Sequence, residues 1–165
     1  MLKPLANALL FQLGWFACVL SPLNPQWPWL LGVPVLVIGL HLAWIGRGAR
    51  EARLLLGVLL VGGALDSLLL HLGLFDFGEP RLLIPLWLSL LWLLLATTLG
   101  HCLAWAARPW WRASLLGAVS GPLSYYAGAQ LAGVGLPLGT GPSLLALAGI
   151  WALLLPLLLA WARAS

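Results

Sequence analysis

The chain has 165 residues, 62% of them hydrophobic and 7% charged, with a formal net charge of +4. A soluble domain carries roughly a quarter charged residues, so this composition excludes a water-soluble globule and places the chain in a bilayer. The few basic residues stand between apolar runs rather than in a stripe, which excludes nucleic acid as a partner.

A membrane-spanning helix needs about 20 apolar residues at 1.5 Å rise each. Six such windows follow in chain order, at about 5–22, 26–46, 53–75, 82–106, 112–134 and 143–162. They use most of the sequence, so the expected fold is all-α, a single six-transmembrane-helix bundle over residues 1–165. The runs are too long, and lack the alternation, for barrel strands. The first window follows a single charge, Lys3, holds Asn7 and Gln12, and lacks a small-x-small cleavage site; it reads as a retained helix rather than a signal peptide.

If the helices alternate in direction, Lys3, Arg47, Arg50, Arg53, Arg108, Arg112 and Arg163 fall on one side, and Arg81 alone on the other. That bias predicts that both termini are cytoplasmic. Trp27 and Trp29 then mark the outer interface, and Trp44, Trp105, Trp110, Trp111 and Trp161 the inner one. Cys18 and Cys102 fall at different depths and are expected to be free thiols.

Direction and rise give each polar residue a depth. Gln12, Asp66, Ser67, Ser124, Tyr125 and Tyr126 fall near the midplane, with Thr97 and Thr98 slightly inward. His71 and Gln130 lie in the outer layer; Asn7, His41, His101 and Cys102 lie in the inner one. Ser67 with His71, Thr97 with His101, and Tyr126 with Gln130 are four apart and share helix faces. The last window shows no polar face and is expected to front lipid.

Asp66 is the most informative position, because an Asp at a helix centre costs about 2.5–3.5 kcal/mol on insertion scales. Such a residue faces a protein interior or a wet cavity and pairs with something. One reading makes it a structural tie, accepting hydrogen bonds from Tyr125 or Tyr126 and locking the third helix to the fifth. The other makes it functional. In "SGPLSYY" Pro122 removes a backbone donor and Gly121 loosens the chain, so the fifth helix is expected to kink or unwind near mid-bilayer. A broken helix at that depth is a recurrent way to build a binding site. His41 reads as an interfacial or packing residue and His101 as a satisfied structural one. His71 is the better acid–base candidate. No His/Cys/Asp spacing resembles a zinc site, and neither metal nor cofactor is expected.

The strings "FQLGWFACVL" (11–20), "PLWLSLLW" (85–92), "ATTLGH" (96–101) and "LLGAVSGPLSYYAGA" (115–129) together resemble a family of small bacterial inner-membrane proteins, domain of unknown function 2878. The resemblance implies a multi-pass inner-membrane protein and assigns no activity, ligand or residue role.

The function expected from the residues is binding or processing of a lipid or small hydrophobic ligand in a polar midplane pocket. Asp66 and His71 would orient or protonate it. Gln12, Tyr125 and Tyr126 would donate hydrogen bonds, with Ser124, Gln130, Thr97, His101 and Asn7 completing the ligand-binding set. Two alternatives stand beside it. One is a proton-coupled permease switched by Asp66; the other is an assembly subunit without chemistry. Whether the chain is an enzyme, and whether it forms an oligomer, stays open at this point.

Overall fold

The structure is a computed structural model that describes residues 2–46 and 48–164. Arg47, one of the basic residues assigned to one side above, lies outside the described residues. The described chain is all-α. Its long helices are α1 (Leu2–Leu20), α2 (Gly32–Leu40), α3 (Ala49–His71), α4 (Leu86–Leu99), α5 (Trp110–Ala132) and α6 (Thr140–Ala164). A 3₁₀ turn, Pro28–Leu31, leads into α2, and a π-helical turn, His41–Ile45, continues it. Among the described residues, Leu2–Leu20, Pro28–Ile45, Ala49–His71 and Thr140–Ala164 are long and apolar enough to cross a membrane.

Two of the six expected spans differ. α5 has the length, but its serines, tyrosines and Gln130 thin its apolar run. The fourth window, expected over 82–106, is helical only over Leu86–Leu99. Pro85 caps its start, and the helix stops at Gly100; His101 therefore lies in a turn and not on a helix. At 1.5 Å per residue α4 is only about 21 Å long, short of a hydrocarbon core of about 30 Å. Its surroundings explain this. α4 packs against α1, α2, α3 and α6, and Leu88, Leu90, Trp92, Leu94 and the run Ala96–Leu99 are buried.

Contacts between connections show that the helices alternate. The α3–α4 and α5–α6 connections meet in a backbone bridge, Asp76 N–H to Gly135 O at 3.0 Å and Gly135 N–H to Asp76 O at 2.8 Å. At the opposite end Asn7, His41, Glu51 and the turn after α4 join through side chains. The exterior fits a lipid environment: Trp27, Trp29, Trp44, Trp105, Trp110, Trp111 and Trp161, the residues assigned to the interfaces, are all exposed.

α5 does not unwind. It stays helical from Trp110 through Pro122 to Ala132 and ends on left-handed Gly133, a common helix stop. The neighbouring helix packs closely along it. Gly117 and Gly121 let α5 approach α6 so closely that a Cβ at either would collide with Trp151. That contact also corrects the expectation for α6. Leu147, Trp151, Leu155, Leu158 and Leu159 are buried, while only its other side, with Leu145, Leu153 and Leu157, faces outward.

Candidate functional site

Two polar constellations survive in the interior, one in the middle of the bundle and one at the end where the chain starts. The central one is built on two glycines, each a helical turn ahead of a polar residue. On α3 Gly62 precedes Asp66; on α5 Gly121 precedes Tyr125. The Trp92 ring lies flat against Gly62, where a Cβ would overlap it, and its indole N–H reaches Asp66 Oδ2 at 2.8 Å. The Tyr125 hydroxyl donates to Asp66 Oδ1 at 2.7 Å. Asp66 is fully buried, and a buried carboxylate requires such partners. Trp151, seated on Gly121, stacks on Trp92 with centroids 5.6 Å apart and planes 7° from parallel. Tyr125 stacks on Phe75 at 5.5 Å. One carboxylate and four aromatic rings thus join α3, α4, α5, α6 and the segment after α3.

Beside this cluster lies a cavity of about 490 Å³, within the 300–1,000 Å³ usual for small-molecule sites. Phe11, Trp15, Phe77, Trp87, Trp92, Tyr125 and Trp151 form its aromatic walls, and Gln12, Ser120, Ser124 and the Tyr125 side chain are its polar lining. The Trp15 indole N–H donates to Ser124 Oγ at 3.1 Å, tying α1 to α5 across the cavity. Its rim residues Gln12, Leu123 and Ser124 are themselves exposed. Asp66 is not part of the lining. It stands one layer behind, fixing Tyr125 and Trp92, which are.

The other expected site residues divide sharply. His71 is exposed and engages the Leu82 carbonyl at 3.0 Å; it neither meets Asp66 nor reaches the cavity, as five residues on a helix diverge by roughly 140°. Tyr126 and Gln130 are exposed on α5, outside the cavity lining. The Thr97 hydroxyl turns back to the Leu94 carbonyl at 2.6 Å, leaving only its backbone oxygen for others. Ser67 Oγ accepts the Ile84 N–H at 3.3 Å, anchoring the chain before α4.

Asn7 and His101 meet instead in the second constellation, together with two residues absent from the expected site, His41 and Glu51. Glu51, in the first turn of α3, accepts through one oxygen, Oε1, from His41 Nε2 at 3.1 Å and His101 Nε2 at 3.3 Å. The imidazole rings lie edge to face with centroids 4.9 Å apart. Asn7 donates to the Thr97 carbonyl at 3.0 Å and lies 3.2 Å from His41 Nδ1, while its oxygen accepts the Cys102 N–H at 3.3 Å. His41 is 1% exposed, in keeping with the packing role read for it as one of two options. It opens the π turn, whose signature is the Gly46 N–H to His41 carbonyl bond at 2.6 Å; such turns are frequent at functional sites. Cys18 and Cys102 are free thiols.

Apolar helices of spanning length, an outer surface belted with tryptophan and a polar interior define a multi-pass inner-membrane protein. More particularly, a family model described as a protein of unknown function (DUF2878) matches residues 4–157, and the chain belongs to that family of small bacterial membrane proteins. No curated protein and no solved structure matches it.

Proposed function

We propose that the protein binds a lipid or another small hydrophobic molecule in the aromatic cavity between α1, α4, α5 and α6, with the tail among the tryptophans and a polar group at Gln12, Ser124 and Tyr125. The cavity carries this reading. Its lining is mostly apolar, so the favoured occupant is apolar too. The exposed rim at Gln12, Leu123 and Ser124 supports entry from the bilayer between α1 and α5. Asp66 acts as a positioning residue for Tyr125 in this reading, and His71 has no part in it.

The orientation proposed with it puts both termini in the cytoplasm. Alternating helices bring Lys3, Arg50, Arg53, Arg108, Arg112 and Arg163 to one end, and basic residues favour the cytoplasmic side.

A photoactivatable diazirine-bearing acyl probe, added to membranes containing the protein, tests the ligand. Crosslinks should concentrate on residues 11–15 and 120–129 and disappear in Ala127→Trp, which fills the cavity from half-buried Ala127. Labelling spread evenly over the lipid-facing helices, unchanged by Ala127→Trp, would rule the site out.

A further inference from the structure

We propose that His41, Glu51 and His101 form a binding site for an exchangeable first-row transition-metal dication of the zinc class. The geometry comes first. One ligand atom from each of His41, Glu51 and His101 lies within 4.8 Å of the other two, and the Nε2 atoms of both imidazoles already converge on Glu51 Oε1 at 3.1 and 3.3 Å. Bonds of about 2.0–2.2 Å to a common ion bring tetrahedral ligands to roughly 3.4 Å apart, so loading asks for imidazole rotation and not for backbone movement. Four chain segments supply the parts, which holds the ligands in place: α1 through Asn7, the π turn through His41, α3 through Glu51 and the turn after α4 through His101.

Charge and donor type then select the ion. Glu51 is 5% exposed, and two imidazoles are its side-chain partners; a dication compensates a buried carboxylate better than two neutral donors do. Two nitrogen ligands and one oxygen suit zinc or its neighbours, whereas magnesium and calcium take oxygen. A set of three protein ligands leaves room for an exchanging fourth.

Asn7 makes the ion exchangeable. Its oxygen accepts the Cys102 N–H and its nitrogen donates to the Thr97 carbonyl, so two backbone groups fix which way the amide faces. The remaining amide hydrogen points at His41 Nδ1, which keeps the imidazole proton on Nε2, donating to Glu51. A metal on Nε2 sends that proton to Nδ1, where it meets the Asn7 N–H. Metal-bound histidines ordinarily donate this proton to an acceptor, and such outer partners are worth about 10–100-fold in affinity. The site therefore binds with an affinity below that of a structural zinc site.

The test is a Zn²⁺ titration, by calorimetry, of chelator-treated full-length protein in detergent, with Co²⁺ absorption as an independent readout. One Zn²⁺ per chain should bind, Co²⁺ should give visible ligand-field bands, and Mg²⁺ should give no heat. His101 sits in a turn, so His101→Ala should elute as folded protein and lose saturable binding. Asn7→Asp places an acceptor behind His41 and should tighten Zn²⁺ about tenfold. Wild-type protein with no saturable Zn²⁺ or Co²⁺ binding at millimolar metal overturns the site, as does binding that survives His101→Ala. Weaker binding in Asn7→Asp overturns the role given to Asn7.

Discussion

Asp66 has each carboxylate oxygen engaged by a side chain from a different helix, and this decides how its variants should behave. In Asp66→Asn the amide oxygen still accepts from the Trp92 indole, and the amide nitrogen can donate to the Tyr125 oxygen, which accepts as readily as it donates. In Asp66→Leu both donors stay buried without an acceptor, a loss of about 1–3 kcal/mol for each group in principle. Membrane proteins soften such losses, with interhelical bonds averaging about 0.6 kcal/mol. Asp66→Leu should thus lose about 2 kcal/mol and Asp66→Asn under about 1 kcal/mol in denaturant unfolding from detergent. Equal losses would mean that the two hydrogen bonds contribute nothing. Half of this pair was legible in the sequence: an Asp in a leucine run must find a donor, and Tyr125 was one of two named for it. Trp92 was not, because a tryptophan among leucines reads as apolar mass. The overlooked signal is its N–H, which needs an acceptor once buried. Glu51 was missed for a different reason. It stands in "RGAREAR", where an acid among arginines looks like a solvated helix start, yet Glu51 is buried while Ala49, Arg50, Ala52 and Arg53 around it are exposed.

Single-atom tolerance governs the elements. Gly62 and Gly121 each lie against an indole with no room for a Cβ, whereas a Cβ at Gly128 would sit 3.6 Å from Val19, an ordinary contact. The three glycines therefore predict opposite signs. Gly62→Ala and Gly121→Ala overpack their helix pairs and should each cost about 1–3 kcal/mol. Gly128→Ala should be neutral or stabilising by up to about 1 kcal/mol, since alanine is the better helix former. Thermal unfolding of the three variants in one detergent checks this; a loss of similar size in all three would contradict the close approaches. Of the kink or unwinding expected at Pro122, the unwinding does not occur, because helix propensity is local while the α5–α6 contact is not. Gly117 and Gly121 look like flexibility in sequence and act as packing sites in the fold. The early end of α4 had a visible cue in Gly100. The cue was outvoted by the apolar residues beyond it, which form a separate 3₁₀ turn, Ala104–Ala107.

Across the whole molecule, one group drawn by depth came together where the pairings drawn by helix face did not. Asn7, His41, His101 and Cys102 were placed in one layer by helix rise alone, and they do meet. The residues four apart that share a face, by contrast, did not become side-chain partners in a site, because common face and common cavity are different conditions. Gln12, Ser124 and Tyr125 line the cavity, but Tyr126, on the next face, is exposed. The orientation of the bundle gives a prediction at this scale. A phosphatase active only outside the cytoplasm should be silent when fused after α6 and active when inserted in the α5–α6 connection near Leu136–Leu138. The reverse pattern would invert the bundle and put the His41–Glu51–His101 cluster on the outer side.

The central claim is that the cavity of about 490 Å³ has a hydrophobic occupant, and native mass spectrometry reads this directly. Protein released from its own membrane in mild detergent should carry one small-molecule adduct per chain, which Ala127→Trp should lose while keeping its thermal stability. A bare wild-type mass, or an adduct retained unchanged in Ala127→Trp, would contradict the account.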